Sequence, residues 1–541
     1  MNSDQKRPRA GFAVLVAAGI LLSRLSGLVR QKIFAHYLGN SDAAGVFSAA
    51  YRIPNFLQNL FGEGVLSASF IPVYAKLLAQ GEEKLAGRVA GIVAALLALT
   101  VAILVLICVL ITPWLLIVIA PGFHGEVREL TIRVVRILFP GIGILVMSAW
   151  CLGILNSHRK FFLSYVAPVL MNIVMIGTLV IFGHRMSQTS LAICLAWGTV
   201  VGAAAQLGIQ IPFVFRYAKH LKFAIDVALE PVRQVVRNFT PVVIGRGVVQ
   251  LSAYLDNILA TLLGTAAASA LAYAQLISLL PISLFGMSVA AAELPQMSSA
   301  TGSEEEIHAA LRNRMSRGLR QIAFFVIPSV MAFIAIGNAI VAALYQGGQF
   351  GPGDTLYVWY ILIGSTVGLL AVTLGRLYSS AFYALGDTKT PLRFAMIRVA
   401  LTGALGWVFA IPLRPLLIDA MRFAHVPLPV IAGSDKPYGA IALTATAGVA
   451  GWLEFMLLRR SLSRRIGAVP LSQAFLAKLW SSAIAAGVAS AAFYLFVTPR
   501  LGAHLPRIFP HVRDGIIVCG LFGVIYIGAT MILNVPESRA T

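Results

Sequence analysis

The chain has 541 residues, 58% hydrophobic and only 12% charged, with a formal net charge of +21. Soluble proteins carry about 25% charged residues, so this composition excludes an ordinary soluble domain and indicates an all-α polytopic membrane protein. The positive excess is scattered between apolar spans rather than gathered on one face, which argues against nucleic-acid binding and fits the positive-inside rule.

The N-terminus carries Lys6, Arg7 and Arg9 and runs into an apolar stretch with no convincing A-x-A-like cleavage site. It reads as a retained first membrane helix and not as a signal peptide. Apolar runs near 20 residues predict fourteen spans, at 11–38, 44–75, 86–112, 130–156, 163–183, 190–215, 238–263, 268–297, 321–344, 355–385, 391–412, 438–458, 474–497 and 514–534. The 113–123 stretch, PWLLIVIAPGF, is too short to span and is expected to form an interfacial loop. Residues 216–237 mix basic and apolar positions at helical spacing, and 303–320 open acidic and close basic; both are expected as amphipathic helices on the membrane surface.

The expected organisation is an N-terminal lobe over 1–215, a cytoplasmic amphipathic linker over 216–237, a C-terminal lobe over 238–412 continuing to 460, and a final helix pair with its tail over 461–541. Alternate loops are rich in Lys and Arg, from Lys76, Lys84 and Arg88 through Arg312, Arg314, Arg317 and Arg320 to Arg459, Arg460, Arg464 and Arg465. The opposite loops hold only Arg128, Arg185, Arg414, Arg422, Lys436, Arg500, Arg507 and Arg513. This bias predicts that both termini are cytoplasmic. Cys108, Cys151, Cys194 and Cys519 lie in apolar runs without metal-ligand spacing and read as small buried hydrophobes.

The informative feature is charge inside the spans. In the first, Ser23, Ser26, Gly27 and Arg30 form one small-and-polar stripe, and Arg24, Gly27 and Gln31 an adjoining one. Arg24 and Arg30 are then offset by about a third of a turn and roughly 9 Å along the axis, a spacing suited to a large, multiply charged group. In the second, Arg52, Asn55 or Asn59, and Glu63 fall on one face, with a bend expected at Pro54. In the seventh, Arg246, Gln250 and Asn257 align, with Asp256 beside them. Arg133, Arg136, Glu293, Arg376, Arg398 and Glu454 also lie in or near spans, where snorkelling or ion pairing would account for them. A charge at mid-bilayer costs about 2.5 to 3.5 kcal/mol on insertion scales, so Arg24, Arg30, Arg52 and Arg246 are expected to face a wet cavity. Guanidinium groups bind phosphate bidentately, so its ligand should be an anion such as a lipid phosphate or pyrophosphate.

These residues sit in strings that carry a resemblance: SRLSGLVR (23–30), LGNSDAAGVFSAAYRIPN (38–55), FGEGVLSASFIPVYA (61–75), GILNSHRKFFLSYVAPVLMNIVMIG (153–177), LYQGGQF (344–350) and FYALGDTKTP (382–391). Together they are similar to the MurJ/MviN lipid II flippases of the multidrug/oligosaccharidyl-lipid/polysaccharide exporter superfamily. The resemblance implies two six-helix lobes around a central cavity, two C-terminal helices forming a lipid-facing groove, and movement of lipid-linked peptidoglycan precursor between leaflets of the bacterial inner membrane by alternating access. It implies that Arg24 and Arg30 bind the head of the undecaprenyl-pyrophosphate-linked precursor and that Asp42 and Glu63 are gating or structural acids; beside these, Ser23, Arg52 and Asn59 are expected to contribute to binding, and Asp256 and Asp387 to act as gating or structural acids. Membrane lipids and the cell-wall synthesis machinery are the other expected partners.

The chain departs from the family pattern at Gln31, at Gln58 and at Gln275-Leu276, which stand where the family carries acidic or basic residues. Arg246, which the family does not normally carry, is expected to supply the missing positive charge. No cofactor is expected, and Asp256 and Thr444 are weak candidates for a sodium site; the membrane potential is the alternative driver. Two rival readings follow: a flippase for another polyprenyl-pyrophosphate-linked glycan, and, less favoured, a small-molecule exporter. An enzyme is disfavoured because no HExxH, DDxxD or P-loop string occurs and Asp387 stands as a lone loop acid.

Overall fold

Among the described residues no β-strand forms, and the chain is a succession of helices. The structure, a computed structural model, describes residues 10–299, 303–429, 431, 436–469, 471–498 and 510–539, with the side chains at 10–18, 20, 63, 161 and 244–253 outside that description. The first half runs α1 (Ala10–Leu38), α2 (Asp42–Phe61), α3 (Glu63–Ser69), α4 (Ile71–Ala79), α5 (Glu83–Ile119), α6 (Gly125–Ser157), α7 (Phe161–Phe182), α8 (Gln188–Tyr217) and α9 (Glu230–Leu262). The second runs α10 (Thr265–Pro281), a π turn (Ile282–Met287), α11 (Ser288–Ser298), α12 (Glu304–Ala335), α13 (Gly337–Tyr345), α14 (Pro352–Ala384), α15 (Lys389–Ala410), α16 (Arg414–Phe423), α17 (Gly439–Ile466), α18 (Gln473–Phe496) and α19 (Pro510–Ile532). Eleven helical segments among the described residues are long and apolar enough to cross a membrane. The three remaining expected spans fall on α1, on α2 through α4, and on α9. Contacts divide the chain into two units, Met1–Tyr254 and Leu255–Thr541, with the division inside α9.

Several expectations are corrected, each for a physical reason. The 113–123 stretch is not an interfacial loop: α5 continues through Pro113 to Ile119. Pro113 leaves the carbonyl of Val109 without its helical donor. Arg136 Nε on α6 donates to that carbonyl at 3.1 Å, and Arg128 Nη2 donates to the carbonyl of Pro113 at 2.8 Å. Arg136 thus supplies the donor that Pro113 withholds, and Arg128 adds a second side-chain bond close by.

The second expected span is broken twice, so Glu63 does not continue the face of α2 that carries Arg52 and Asn59. The break falls at Gly62, whose N–H donates to the Gln58 carbonyl at 2.7 Å and where an added Cβ would collide with that same oxygen. The ninth expected span is likewise interrupted, at Ile336 between α12 and α13.

Residues 216–237 do not form one amphipathic helix. Residues 218–229 are irregular, and α9 starts at Glu230. The irregular segment lies along α5, where Gly87 and Gly91 are one turn apart. A Cβ on Gly87 would stand 2.7 Å from the His220 carbonyl oxygen, and Gly91 abuts the backbone of Lys222. Arg88 pairs with Asp226 at 3.2 Å, and Leu221 and Leu229 pack on the core built from α4, α5 and α6. The close approach of two backbones across glycine outweighs helical propensity here.

Residues 303–320 are not a separate surface helix either. They form the first turns of α12, opened by a capping box in which Ser303 accepts the Glu306 N–H at 3.3 Å and Glu306 accepts the Ser303 N–H at 2.8 Å. Among the cysteines only Cys151 is buried, and Cys519 is exposed on α19.

In the first unit α6 packs against α2, α5 and α8, while α7 joins α1 to α8. Ser148 on α6 donates to Gln210 at 2.7 Å and accepts from Gln206 at 3.0 Å, a buried polar link between α6 and α8. In the second unit α14 is central, and its closest partner is α17. Gly364 faces Thr444 and Gly368 faces Gly448, so small residues one turn apart on both helices let the backbones touch.

The pair α18–α19 packs on α12 and α13, and the tail beyond α19 folds back to clasp it. Glu537 accepts from Arg320 Nε at 2.6 Å and Nη2 at 3.2 Å, and the same guanidinium lies 4.5 Å over the Phe475 ring. Lys478 donates to the Leu533 carbonyl at 2.8 Å, and Val535 and Ser538 are buried. A bidentate, partly buried charge pair of this kind contributes on the order of 1–2 kcal/mol. We expect Glu537→Ala to lower the thermal unfolding midpoint of the detergent-purified protein and Glu537→Asp to recover part of it. An unchanged midpoint in Glu537→Ala would show that the clasp is not stabilising.

Candidate anion-binding site

The site begins with one polar residue in an apolar helix. Asn172 is 7% exposed in α7, whose sequence is otherwise FFLSYVAPVLM before it and IVMIGTLVIF after it. A buried amide requires partners, and both come from α1. Asn172 Nδ2 donates to Ser26 Oγ at 2.9 Å, Ser26 Oγ donates to the Ser23 carbonyl at 2.9 Å, and Arg30 Nη1 donates to Asn172 Oδ1 at 3.0 Å. Arg30 Nη1 also lies 3.8 Å from the Met175 sulfur. The Ser23–Ser26–Arg30 stripe is therefore an interhelical hydrogen-bond seam.

That seam uses one nitrogen of a guanidinium with five N–H donors. Arg30 is half-buried, and its remaining N–H groups take no partner among the described residues. Arg24 lies on the same unbroken helix and is exposed. The expected offset of the two arginines stands, because no break interrupts α1 between them. Chemically this is a hydrogen-bonded cation and an exposed one on a single helix, suited to an extended anion with more than one acceptor.

Arg52 on α2 is half-buried, and its carbonyl accepts the hydroxyl of Tyr254, whose ring meets Phe56 edge-on at 5.3 Å. This contact fixes the backbone of α2 one residue from Ile53-Pro54 and ties the first part of α9 to it. Asn59 and Gln58 are half-buried on the same helix. Asp42 is exposed and opens α2 next to its N-cap Ser41, where a carboxylate suits the helix dipole. The side chains of Glu63 and Arg246 lie outside the described residues, so α3 and α9 are placed but those charges are not.

In the second unit, Asp256 is half-buried on α9, and Gln275 and Leu276 are half-buried on α10. The neighbouring Tyr273 is buried, its ring tilted against Tyr345 at 4.8 Å and edge-on to Phe350 at 5.2 Å. The LYQGGQF string thus closes over α10, its turn made possible by positive φ at Gly347 and Gly348. Arg398 on α15 pairs with Glu454 on α17 at 2.9 Å, and Arg376 interacts with both. Thr444 donates to the carbonyls of Ile361 at 3.1 Å and Ile441 at 3.0 Å, which binds α17 to α14. Among the described residues no three His, Cys, Asp or Glu side chains cluster as a metal site.

Asp387 is a cap. Its carboxylate accepts the backbone N–H of Lys389 at 3.0 Å and of Thr390 at 2.9 Å, the Thr390 hydroxyl at 2.7 Å, and Arg465 Nη2 at 2.7 Å. Arg465 also stacks over Phe382 at 5.3 Å, so GDTKTP joins the end of α14 and the start of α15 to the end of α17. The Thr390 backbone and hydroxyl bonds, followed by Arg465, hold the Asp387 carboxyl down to about 2.

Asn172 was not singled out from the sequence, although an asparagine in the middle of a mostly apolar membrane helix is itself a signal.

Residues 34–508 match the family model described as Lipid II flippase MurJ. A probable lipid II flippase MurJ of Rhizobium tropici is 30% identical over 466 residues, covering 84% of this chain and 80% of that protein. The lipid II flippase MurJ of Burkholderia cenocepacia is 28% identical over 465 residues, covering 84% of each chain. Among solved structures, a lipid II flippase MurJ in an inward closed conformation superposes with a TM-score of 0.73 at 21% identity, covering 96% of this chain and 98% of that one. An inward-facing multidrug resistance MATE family transporter of the MOP superfamily superposes with a TM-score of 0.60 at 16% identity, covering 84% of this chain and 99% of that one.

A carboxylate whose folded-state value is depressed stabilises the fold above its unfolded value near 4, and the stabilisation is lost only as pH falls through about 2. Asp387→Ala should therefore destabilise by about 0.5–2 kcal/mol, equally at pH 5 and pH 8, in thermal unfolding in detergent. A penalty present at pH 8 and absent at pH 5 would contradict this assignment.

Proposed function

We propose, from the membership of this chain in the MurJ lipid II flippase family, that it moves lipid II from the inner to the outer leaflet of the bacterial cytoplasmic membrane by alternating access. It is a multi-pass membrane transporter and not an enzyme. The observation that carries the reading is the family match over residues 34–508. Arg30 supports it, because α1 presents a half-buried guanidinium with unused donors of the kind a pyrophosphate can accept from.

In this reading Arg24, Arg30 and Arg52 hold the pyrophosphate-sugar head, with Ser23 and Asn59 as polar neighbours. Asn172 is a positioning residue that fixes the Arg30 rotamer. Arg246 supplies the charge that Gln275-Leu276 does not. Both termini are cytoplasmic, following the distribution of basic loops. Energy comes from the membrane potential or a monovalent cation at Asp256. An inside-negative potential favours outward movement of an anionic head by about 2.3 kcal/mol per charge per 100 mV. The chain acts on undecaprenyl-linked lipid II among membrane lipids and works beside the cell-wall synthesis machinery. A second reading, transport of another polyprenyl-pyrophosphate-linked glycan, is favoured by the uncharged Gln275-Leu276 pair on α10.

Depletion in the host, with lipid II exposure on the outer leaflet as readout, tests the reading. Exposure should fall, and unchanged exposure without a redundant flippase would sink it. Within the site, Arg30→Ala should abolish complementation, and Asn172→Ala should lower transport while Asn172→Gln recovers part of it. Arg246→Ala should also impair transport; normal flipping in that variant would end the compensation idea.

A further inference from the structure

An apolar pocket of about 570 Å³ opens in the second unit, and none of the residues assigned above to the substrate lines it. Leu405 and Phe409 of α15, Leu413, Leu416 and Leu417 around the start of α16, and Ala442, Ala445, Thr446 and Val449 of α17 line it. Its volume falls in the range of about 300–1,000 Å³ typical of ligand sites. Small residues make the space: Ala442 and Ala445 leave room on α17, and Gly406 lets α15 approach Leu443 closely. The one hydroxyl in the wall is spent internally, since Thr446 donates to the carbonyls of Ala442 at 2.9 Å and Leu443 at 3.0 Å. The interior is therefore hydrocarbon-like, while Leu416 at the mouth is 64% exposed.

A charge stands next to this opening. Arg414 is flanked in sequence by the lining residues Leu413 and Leu416, and it is half-buried. Its Nε is buried and takes no hydrogen-bond partner among the described residues. It begins α16, where the helix dipole disfavours a cation, so the helix itself gives no reason for an arginine there. The other arginine of α16 differs: Arg422 lies 3.7 Å from Asp419 one turn before it. Ile418, one turn further along α16, is buried, and α16 packs on α17.

We infer that this pocket binds one anionic phospholipid, with an acyl chain between α15, α16 and α17 and the phosphate on Arg414. The apolar lining fits a single fatty acyl chain. The unmatched guanidinium selects a phosphate diester with net negative charge over a zwitterionic head group. The inference needs only that the chain sit in a membrane, so failure of lipid II transport and failure of this site are separate outcomes.

The test is native mass spectrometry of the full chain, delipidated in neutral detergent and given phosphatidylglycerol, phosphatidylcholine or undecaprenyl phosphate. The wild-type protein should retain phosphatidylglycerol in preference to phosphatidylcholine. Ala445→Phe, which fills the pocket, should lower the number of tightly held phosphatidylglycerol molecules by one. Arg414→Gln should reduce the preference over phosphatidylcholine about threefold to tenfold without changing the unfolding midpoint. Because Ala445→Phe can disturb packing, Arg414→Gln decides the matter if the first variant is unstable. Equal retention of both phospholipids by the wild type, an unaltered preference in Arg414→Gln, or one-for-one displacement by undecaprenyl phosphate would each overturn the inference.

Discussion

The structure depends on one constraint: a polar group placed in hydrocarbon must find a partner within the protein. The repair of α5 shows this most directly. Pro113 strips the Val109 carbonyl of its donor, and Arg136 reaches across from α6 to replace it. Arg398 and Glu454 neutralise each other between α15 and α17, and Ser148 joins Gln206 and Gln210 inside α6 and α8. Asn172 and Arg30 obey the same rule with a difference. Their seam satisfies the amide and leaves most of the guanidinium for something else.

Close backbone approach is the second means of assembly. Without a strong hydrophobic drive between helices in lipid, packing area and hydrogen bonds decide who touches whom. Gly364 and Gly368 meet Thr444 and Gly448, and this crossing makes α14 and α17 the spine of their unit. Gly87 and Gly91 play the same part for a segment with no helix at all, which replaces an expected surface helix by an irregular ribbon along α5.

Function follows from what remains after these demands are met. The family assignment names the chemistry of the substrate, and α1 offers donors of the right kind. Gln31, Gln58 and Gln275-Leu276 carry no charge, while α1 carries both Arg24 and Arg30. Asp387 and Asp42 contribute through architecture: one caps α15 and links it to α17, and the other opens α2.

The sequence by itself determined the class, the positions of most spans and the family. Length and hydropathy of a membrane helix are local properties, and the six matching strings are covalent facts. Arg24 and Arg30 were legible for the same reason, since their offset follows from helix geometry alone. Where helices stop was decided by tertiary structure. α5 runs on past its proline with Arg136 donating to the carbonyl that the proline leaves bare, and the residue that follows α2 has to be glycine, because the Gln58 carbonyl leaves no room for a side chain at Gly62. The partner of Arg30 was equally beyond the sequence, because Asn172 lies 142 residues away and only the packing of α7 on α1 brings them together.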